Sequence, residues 1–506
     1  MRTPRPRRVG IVLAAAIGLA FTSIAAAEPV ADAVSTFTYT QNMHPQGYSA
    51  RVVPLDNTVA GQGRFNSDLA FWGRIAYQGT YNGFRAIDVS DPENPVQLVN
   101  FENCVGDQGD VLVWDNLLIR SWNSTASSTA TCAGQLVGAG FEGLHIFDVS
   151  NPASPVLVKA IRMAADTLPT RGCGSHTATL VPDVARGNIY VYNSASSGTC
   201  PGIDIVKIPL ADPTAAQFLR REPSGRSCHD TSVILGDVNL VMCAGGNGFT
   251  VWRLDPRVAP PAEGSLEDPV QLYSRSVTGV TIAHSGSFSW DGEVLIFGHE
   301  PGGGSGAQCQ ATSSVTNRSL FFFKPTTGDL LGTMVHPRPQ TSLENCTWHN
   351  FDVVPTDKRY VLVSGNYQSG ISVVDFTDPA NAAEIAYADP APLVDPNPPV
   401  GIELGGDWST YWYNGNIFES DITRGLLIWN LADNAVAGAK RLGHLNPQTQ
   451  ESSFPFKGTA FGIQKKADDQ QGSVILGASA PDDASGGGGH EDHEDLPHEH
   501  DEDGGL

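Results

Sequence analysis

The chain has 506 residues, with 31 basic and 54 acidic side chains that give a formal net charge of −23. This acidic balance argues against nucleic acid and anionic membrane surfaces as partners. After the first residues, no stretch is apolar and long enough to span a bilayer. We therefore expect no membrane span, and a monomer.

Residues 1–27 have the pattern of a cleaved secretory signal peptide. A basic stretch is followed by an apolar run from Val9 to about Ala20 and by small residues up to Ala27. The alternative is a membrane anchor, for which the apolar run is short. The eight cysteines, an even number, fit an oxidising compartment and indicate disulfides. The sequence thus predicts a secreted, extracellular protein.

The middle of the chain repeats one phrase. It reads GFRAIDVSDPENPVQL from Gly83 and GLHIFDVSNPASPVLV from Gly143, with degenerate copies later. Two further strands, joined by Gly-Asp, Asp-Gly or Asn-Gly turns, precede each copy. Such four-stranded repeats are typical of a β-propeller. We predict an all-β, seven-bladed β-propeller of four-stranded blades over residues 61–447. Segment 28–60 is a candidate for closing the last blade.

These phrases resemble the LVIVD repeat of secreted or surface β-propellers from bacteria and archaea. The resemblance covers roughly Gly61 to Pro447 and implies the propeller fold. It implies little about activity, because the family has no single established chemistry.

The innermost strand of each blade should line the central channel, and one equivalent position near its start is polar in every repeat. It is occupied by Asn66, Gln108, His176, His229, His284, His349 and Asp407. Neutral imidazoles at one level suit a borderline transition metal. We predict a metal site of His176, His229, His284 and His349, with Gln108 and Asp407 as further ligands, for Fe, Cu, Mn or Zn. The alternative is a water-filled polar channel.

Four local disulfides are predicted around the mouth of this channel: Cys104–Cys132, Cys173–Cys200, Cys228–Cys243 and Cys309–Cys346. Other pairings stay open. Asp230 could orient the His229 imidazole, and His299, in a long loop, could carry a proton. His229, Asp230 and His299 are the candidate catalytic residues.

The C-terminal part is predicted as an extension at 448–480 and a disordered tail at 481–506, rich in Gly, His, Asp and Glu. Its histidines, His490, His493, His498 and His500, could also bind metal weakly.

Two functions remain open at this point. The first is a metal-dependent enzyme, of oxidase, oxygenase or lyase type, that acts on a small molecule or polymer at the propeller mouth. Carotenoid cleavage oxygenases are similar in architecture, because they hold iron with four histidines inside a seven-bladed propeller, but none of their motifs is found here. The second is a non-catalytic extracellular propeller that binds a partner or sequesters metal.

Overall fold

The computed structural model describes residues 29–51, 65–123, 125–163, 175–195, 200–304, 306–356, 359–392 and 405–450. The predicted signal peptide at 1–27, the tail at 481–506 and most of the predicted extension at 448–480 lie outside these residues. The described chain begins with a short helix and two strands: α1 (Val30–Ala33), β1 (Thr38–Tyr39) and β2 (Met43–Ala50). No helix in the described part of the chain is long and apolar enough to cross a membrane.

Seven antiparallel sheets surround a central channel, which confirms the predicted seven-bladed β-propeller. Each of the first three blades runs outward from its innermost strand. Blade 1 consists of β3 (Asn66–Trp72), β4 (Ile75–Thr80), β5 (Gly83–Asp88) and β6 (Val96–Phe101). Blade 2 consists of β7 (Val111–Trp114), β8 (Leu117–Trp122), β11 (Gly143–Asp148) and β12 (Val156–Arg162), with the hairpin β9 (Thr131–Cys132) and β10 (Gln135–Leu136) between them. Blade 3 consists of β13 (Thr177–Asp183), β14 (Asn188–Ser194), β15 (Ile203–Pro209) and β16 (Gln217–Glu222).

The remaining four blades follow the same order. Blade 4 consists of β17 (Asp230–Ile234), β18 (Leu240–Gly245), β19 (Gly248–Arg253) and β20 (Val270–Ser276). Blade 5 consists of β21 (Ala283–Phe288), β22 (Leu295–His299), β23 (Ser319–Phe323) and β24 (Leu330–Val335). Blade 6 consists of β25 (Asn350–Val353), β26 (Val361–Gly365), β27 (Ile371–Asp375) and β28 (Ala383–Asp389). Blade 7 consists of β29 (Asp407–Tyr413), β30 (Asn416–Asp421) and β31 (Gly425–Leu431), and β2 is its outermost strand.

The ring is closed by chain segments from both ends of the propeller. Strand β2 pairs antiparallel with β31, so the N-terminal segment supplies the fourth strand of blade 7. Strand β1 pairs with β28 at the outer edge of blade 6. Because the first and last parts of the propeller share one sheet, the ring cannot open without breaking that sheet.

The core lies between the blades. Both faces of the inner strands are buried, because every blade packs against two neighbours. In β14, for example, Val191 and Tyr192 are both fully buried, and they belong to apolar clusters on opposite sides of blade 3. Alternating side chains point to opposite faces of a strand, so nearly continuous apolar runs are required here.

The segment after blade 7 fills the channel at the end where the inner strands finish. It contains two short strands, β32 (His444–Leu445) beside β3 and β33 (Thr449–Gln450) beside β17. Between them, the Asn446 side chain accepts from the Val113 amide at 2.7 Å and donates to the Val113 carbonyl at 2.9 Å. The Gln450 side chain makes the same pair of bonds with Phe288. Residues 444–450 are called the plug below.

Candidate metal centre

Four histidines lie at the mouth of the channel, where the inner strands of their blades begin. The plug approaches them through Gln448, whose side chain lies 3.3 Å from that of Asn350, next to His349. His176, His229 and His349 directly precede β13, β17 and β25, and His284 is the second residue of β21. They therefore come from consecutive blades, 3 to 6. Neighbouring ring centroids are 4.5, 4.0 and 4.1 Å apart along the series. The imidazoles form one continuous arc along the channel wall.

Each imidazole uses its Nδ1 atom for a contact with the protein. The partners are Asn123 Oδ1 for His176 at 2.9 Å, Asp230 Oδ1 for His229 at 3.0 Å, the His349 carbonyl for His284 at 3.0 Å and the Trp408 carbonyl for His349 at 2.6 Å. Such contacts fix the ring orientation and the tautomer. They leave Nε2 as the nitrogen that is available to a ligand.

Glu300 brings a carboxylate to this arc. Its Oε2 lies 4.0 Å from His284 Nε2, and its Oε1 lies 4.0 Å from His349 Nε2. His229, His284 and Glu300 each offer a ligand atom, all within 4.8 Å of one another. A separation of 4.0 Å is too long for a hydrogen bond. It is compatible with two atoms bound to one metal ion, since each would lie about 2.1 Å from it.

Burial keeps the four imidazoles in the form that binds metals. It lowers the pKa of His229 to about 4 and that of His349 to about 3. For His176 and His284, burial and then neighbouring imidazoles lower the pKa well below the usual value. Burial also raises the pKa of Glu300 to about 7. The unprotonated Nε2 atoms are therefore available near neutral pH, and a cation would stabilise the Glu300 carboxylate.

Tyr367 and a glycine-rich turn hold the Glu300 side chain. The Tyr367 hydroxyl donates to Glu300 Oε1 at 2.7 Å, and its ring lies 4.2 Å from that of His349. Gly304, at φ +71°, is so close that a Cβ atom there would lie 2.9 Å from Glu300 Oε1 and 3.0 Å from the Tyr367 hydroxyl. The turn thus covers the carboxylate.

Two predicted ligands lie apart from this group. Gln108 lies on the side of the mouth formed by blades 1 and 2, where its backbone amide donates to Asp107 Oδ1 at 2.9 Å. Asp407 lies instead with Glu419 and Asp421 in a buried acidic cluster of blade 7. The register between β29 and β30 shifts between Asp407 and Ser409, and Trp408 is the residue of this strand that contacts His349.

Of the three candidate catalytic residues, His229 and Asp230 are joined by the contact given above. His299 lies elsewhere: its Nε2 is 2.6 Å from the Thr316 carbonyl, and its ring packs beside Phe321. His299 pairs with Ala283 across blade 5, so these two side chains lie on the same face of the sheet. The residue after each of them, Glu300 and His284, therefore lies on the opposite face. Sequence reasoning singled out the His299-Glu300 pair but chose the residue on the other face. It missed Tyr367, for which the sequence carries no signal.

Three of the four predicted disulfides are present: Cys104–Cys132, Cys228–Cys243 and Cys309–Cys346. Cys200 is also disulfide-bonded, and Cys173 lies outside the described residues. Cys228 and Cys346 are close in sequence to His229 and His349. The bridges therefore fix the chain where it enters two of the histidine-bearing strands.

Comparisons with known proteins concern the fold. The computationally designed Ika8 protein shares 10% identity at a TM-score of 0.40, over 76% of this chain and 100% of that one. The Dos1 propeller shares 10% at 0.46, over 80% and 83%. A putative 6-phosphogluconolactonase from Bacteroides fragilis shares 11% at 0.41, over 78% and 99%. Likeness at this level says nothing about activity. No curated protein matches the chain significantly.

The LVIVD repeat family model matches residues 137–162, which include the second copy of the repeated phrase, from Gly143. The sequence resemblance is thereby confirmed for that repeat. The chain carries an LVIVD repeat within a seven-bladed β-propeller.

Proposed function

We propose that this protein is a secreted metalloenzyme of the oxidase or oxygenase type, with its metal ion at the mouth of the propeller channel. The observation that carries the proposal is the convergence of ligand atoms from His229, His284 and Glu300. Two imidazoles and one carboxylate with open positions are the ligand set of non-haem Fe(II) oxygenases. His349 and His176 flank the three ligands and could complete the coordination.

The protein groups around these ligands support a metal rather than a water-filled channel. The Nδ1 atoms of all four histidines are held by protein oxygens, which leaves their Nε2 atoms for coordination. Tyr367 orients the Glu300 carboxylate through its hydroxyl. When bound, the metal would supply redox or Lewis-acid chemistry. The chain itself contributes a preorganised ligand set and a wall of buried side chains that limits water.

The plug determines how a substrate would reach this site. Because residues 444–450 bond to inner strands at the far end of the channel, we propose that a small-molecule or polymer substrate enters from the mouth alone. The three disulfides agree with an extracellular location, where thiols are oxidised.

The test is metal analysis by plasma mass spectrometry on full-length protein purified without metal-affinity steps. The starting protein carries alanine in place of His490, His493, His498 and His500, so that metal bound by the tail is not counted. We expect about one equivalent of Fe per chain. In this background His284→Ala and Glu300→Gln should each retain less than a tenth of that metal.

His336→Gln is the matched control. His336 is buried, with Nε2 3.2 Å from the Ser369 hydroxyl, and it belongs to another part of blades 5 and 6. This variant should keep its metal. Full metal content in His284→Ala and Glu300→Gln would refute the proposed site. One equivalent of Zn or Mn instead of Fe would keep the site but replace oxidation with Lewis-acid chemistry of the lyase type.

A further inference from the structure

Blade 7 holds three carboxylates on the face that packs against blade 6. Asp407 pairs with Asp421 across β29 and β30, and directly paired residues place their side chains on the same face of a sheet. Asp407, Glu419 and Asp421 each offer a ligand oxygen, all within 4.8 Å of one another, and all three side chains are fully buried. A Cβ atom added to Gly365 of blade 6 would lie 3.0 Å from the Asp407 Cβ atom. The three carboxylates, called the blade 7 cluster below, therefore lie between the two blades.

Two oxygen atoms of the blade 7 cluster have no hydrogen-bond donor within the described chain. Asp407 Oδ2 accepts from the Thr410 hydroxyl at 3.2 Å, but Asp407 Oδ1 has no partner. Glu419 Oε2 accepts from the Trp429 indole at 2.7 Å, but Glu419 Oε1 has no partner. Buried carboxylate oxygens without a donor are costly. An ion that binds oxygen would remove this cost.

Arg424 balances the charge of one member of the cluster. It donates to Asp421 Oδ2 at 2.8 Å, and the amides of Thr423 and Arg424 donate to Asp421 Oδ1 at 2.8 and 2.7 Å. Asp421 is thus held in place with a partner. The carboxylates of Asp407 and Glu419 are left with two negative charges. Burial, and then the neighbouring carboxylates, raise the pKa of Asp407, because its charged form is poorly solvated there.

Arg51 lies on the other face of blade 7. Its guanidinium carbon is 5.4 Å from the centroid of the Phe65 ring, and Phe65 clusters with Trp408 and Ile422. Trp408 and Ile422 directly follow two members of the blade 7 cluster in sequence, so their side chains lie on the opposite side of the sheet. The sheet therefore separates the Arg51 guanidinium from the three carboxylates.

We propose that the blade 7 cluster binds one calcium ion. A proton shared between two carboxylates would leave one negative charge in place, whereas one divalent cation balances both. Ligands that are all oxygen suit a hard cation, and Ca²⁺ accepts carboxylates through one or both oxygens in flexible geometry. Mg²⁺ usually keeps several water molecules, which suits a fully buried cluster less well. Because blade 7 closes the ring, the ion would stabilise the whole propeller.

The test uses Tb³⁺, which occupies calcium sites and emits when a nearby tryptophan is excited. The Trp429 indole bonds to the cluster, whereas the acidic tail at 481–506 contains no aromatic residue, so Tb³⁺ on the tail is not sensitised by a neighbouring ring. The starting protein is full-length His284→Ala, treated with a chelator, in which the histidine arc lacks a ligand. We expect saturable emission that excess Ca²⁺ removes. The result does not depend on the proposed function, because the arc is disabled in every sample.

Asp407→Asn and Glu419→Gln each remove one charge at nearly constant shape, and each should weaken Tb³⁺ binding at least tenfold. Asp110→Asn is the matched control. Asp110 is a buried carboxylate of blade 2, with Oδ2 accepting from the Ala178 amide at 2.8 Å. This variant should bind Tb³⁺ as the starting protein does.

Denaturant unfolding gives a second measurement. Millimolar Ca²⁺ should raise the unfolding midpoint of the starting protein and of Asp110→Asn, but not that of Asp407→Asn. Without Ca²⁺, Asp407→Asn should be at least as stable as the starting protein, because it removes a buried charge. Equal emission from Asp407→Asn and the starting protein, or a midpoint that Ca²⁺ does not change, would overturn the inference. A shared proton would then account for the two carboxylates.

Discussion

The two ends of the channel are formed by the same inner strands, but they differ in how far their polar groups are hydrogen-bonded within the protein. At the far end, plug side chains satisfy backbone groups in pairs, as Asn446 does for Val113 and Gln450 for Phe288. At the mouth, Nε2 atoms of the histidines face a carboxylate 4.0 Å away, without a hydrogen bond between them. The hydrogen bonds at the far end stabilise the fold, whereas the Nε2 atoms at the mouth can still bind a ligand.

This difference indicates where the fold tolerates destabilising groups. Burying a carboxyl group costs free energy, because its charged form loses solvation. The mouth contains such groups, including Asp230 and Glu300, whose pKa values burial raises to about 8 and about 7. A sealed far end can offset part of that cost. Changes at the far end should therefore affect stability, and changes at the mouth should affect ligand binding.

The largest effect on stability is expected for Asn446→Ala. This substitution leaves the buried amide and carbonyl of Val113 without partners, so the free energy of unfolding should fall by about 3 kcal/mol. Metal content should stay at the wild-type level, because Asn446 bonds to β7 of blade 2, which supplies none of His229, His284 and Glu300. Denaturant unfolding and metal analysis measure the two effects separately.

The exposed Asn434 provides the control for that variant. Asn434→Ala should change the free energy of unfolding by less than about 0.5 kcal/mol, as is usual for surface positions. If Asn446→Ala loses metal while its stability is unchanged, the separation of the two ends is wrong.

A second prediction concerns the pH dependence of the plug. His444 stacks on Trp72 with ring centroids 4.7 Å apart and packs edge-on against Trp114 at 5.1 Å, and burial lowers its pKa to about 3. Between pH 6.5 and 3, the unfolded chain binds a proton here that the folded chain does not. Its contribution to stability is thus present above pH 6.5 and is lost as the pH falls, by about 1.4 kcal/mol per pH unit.

His444→Phe keeps an aromatic ring in the stack and removes this titration. Denaturant unfolding of both proteins at pH 7.5, 6.5, 5.5 and 4.5 should show the wild type losing stability relative to the variant by about 1.4 kcal/mol for each unit below pH 6.5. A difference that is constant over this range would show that His444 binds its proton with the same pKa in the folded and unfolded chain, and would contradict the lowered pKa.

The sequence predicts the propeller and the histidine arc well, because both depend on repetition. The innermost strand recurs in every blade, so equivalent positions can be found by counting residues back from the turn that ends it. His176, His229, His284 and His349 occupy equivalent positions in that count. Asp407 occupies the same position in the count but lies with Glu419 and Asp421 in a different cluster, a difference that the repeat pattern does not indicate. Gln108 precedes its strand, which begins only at Val111, so its side chain is not oriented by strand pairing.

The plug and Glu300 could not be predicted for different physical reasons. The plug pairs over two-residue strands and through side chains such as Asn446. Its sequence therefore shows neither the alternation of apolar and polar residues that predicts a strand nor the residues that predict a tight turn. Glu300 follows directly on β22, and only the pairing of His299 with Ala283 decides which of the two neighbours shares a face with His284. That pairing depends on a bulge in β21, which the sequence alone does not locate.

The smallest expected effect compares a glycine from each end of the channel. Gly304, at the mouth, and Gly187, in the β13–β14 turn at the far end, have nearly the same φ, +71° and +68°. A Cβ atom at Gly187 would meet nothing within 4 Å, whereas at Gly304 it would meet Glu300 and Tyr367. Both alanine variants should lose about 1 kcal/mol of stability for the left-handed conformation. Gly304→Ala should in addition weaken metal binding at least fivefold, measured by competition with a chelator, because it displaces Glu300 from Tyr367. Equal metal affinities in the two variants would mean that the position of the Glu300 carboxylate does not determine binding, and His229 and His284 would then have to hold the metal with His176 or His349 instead.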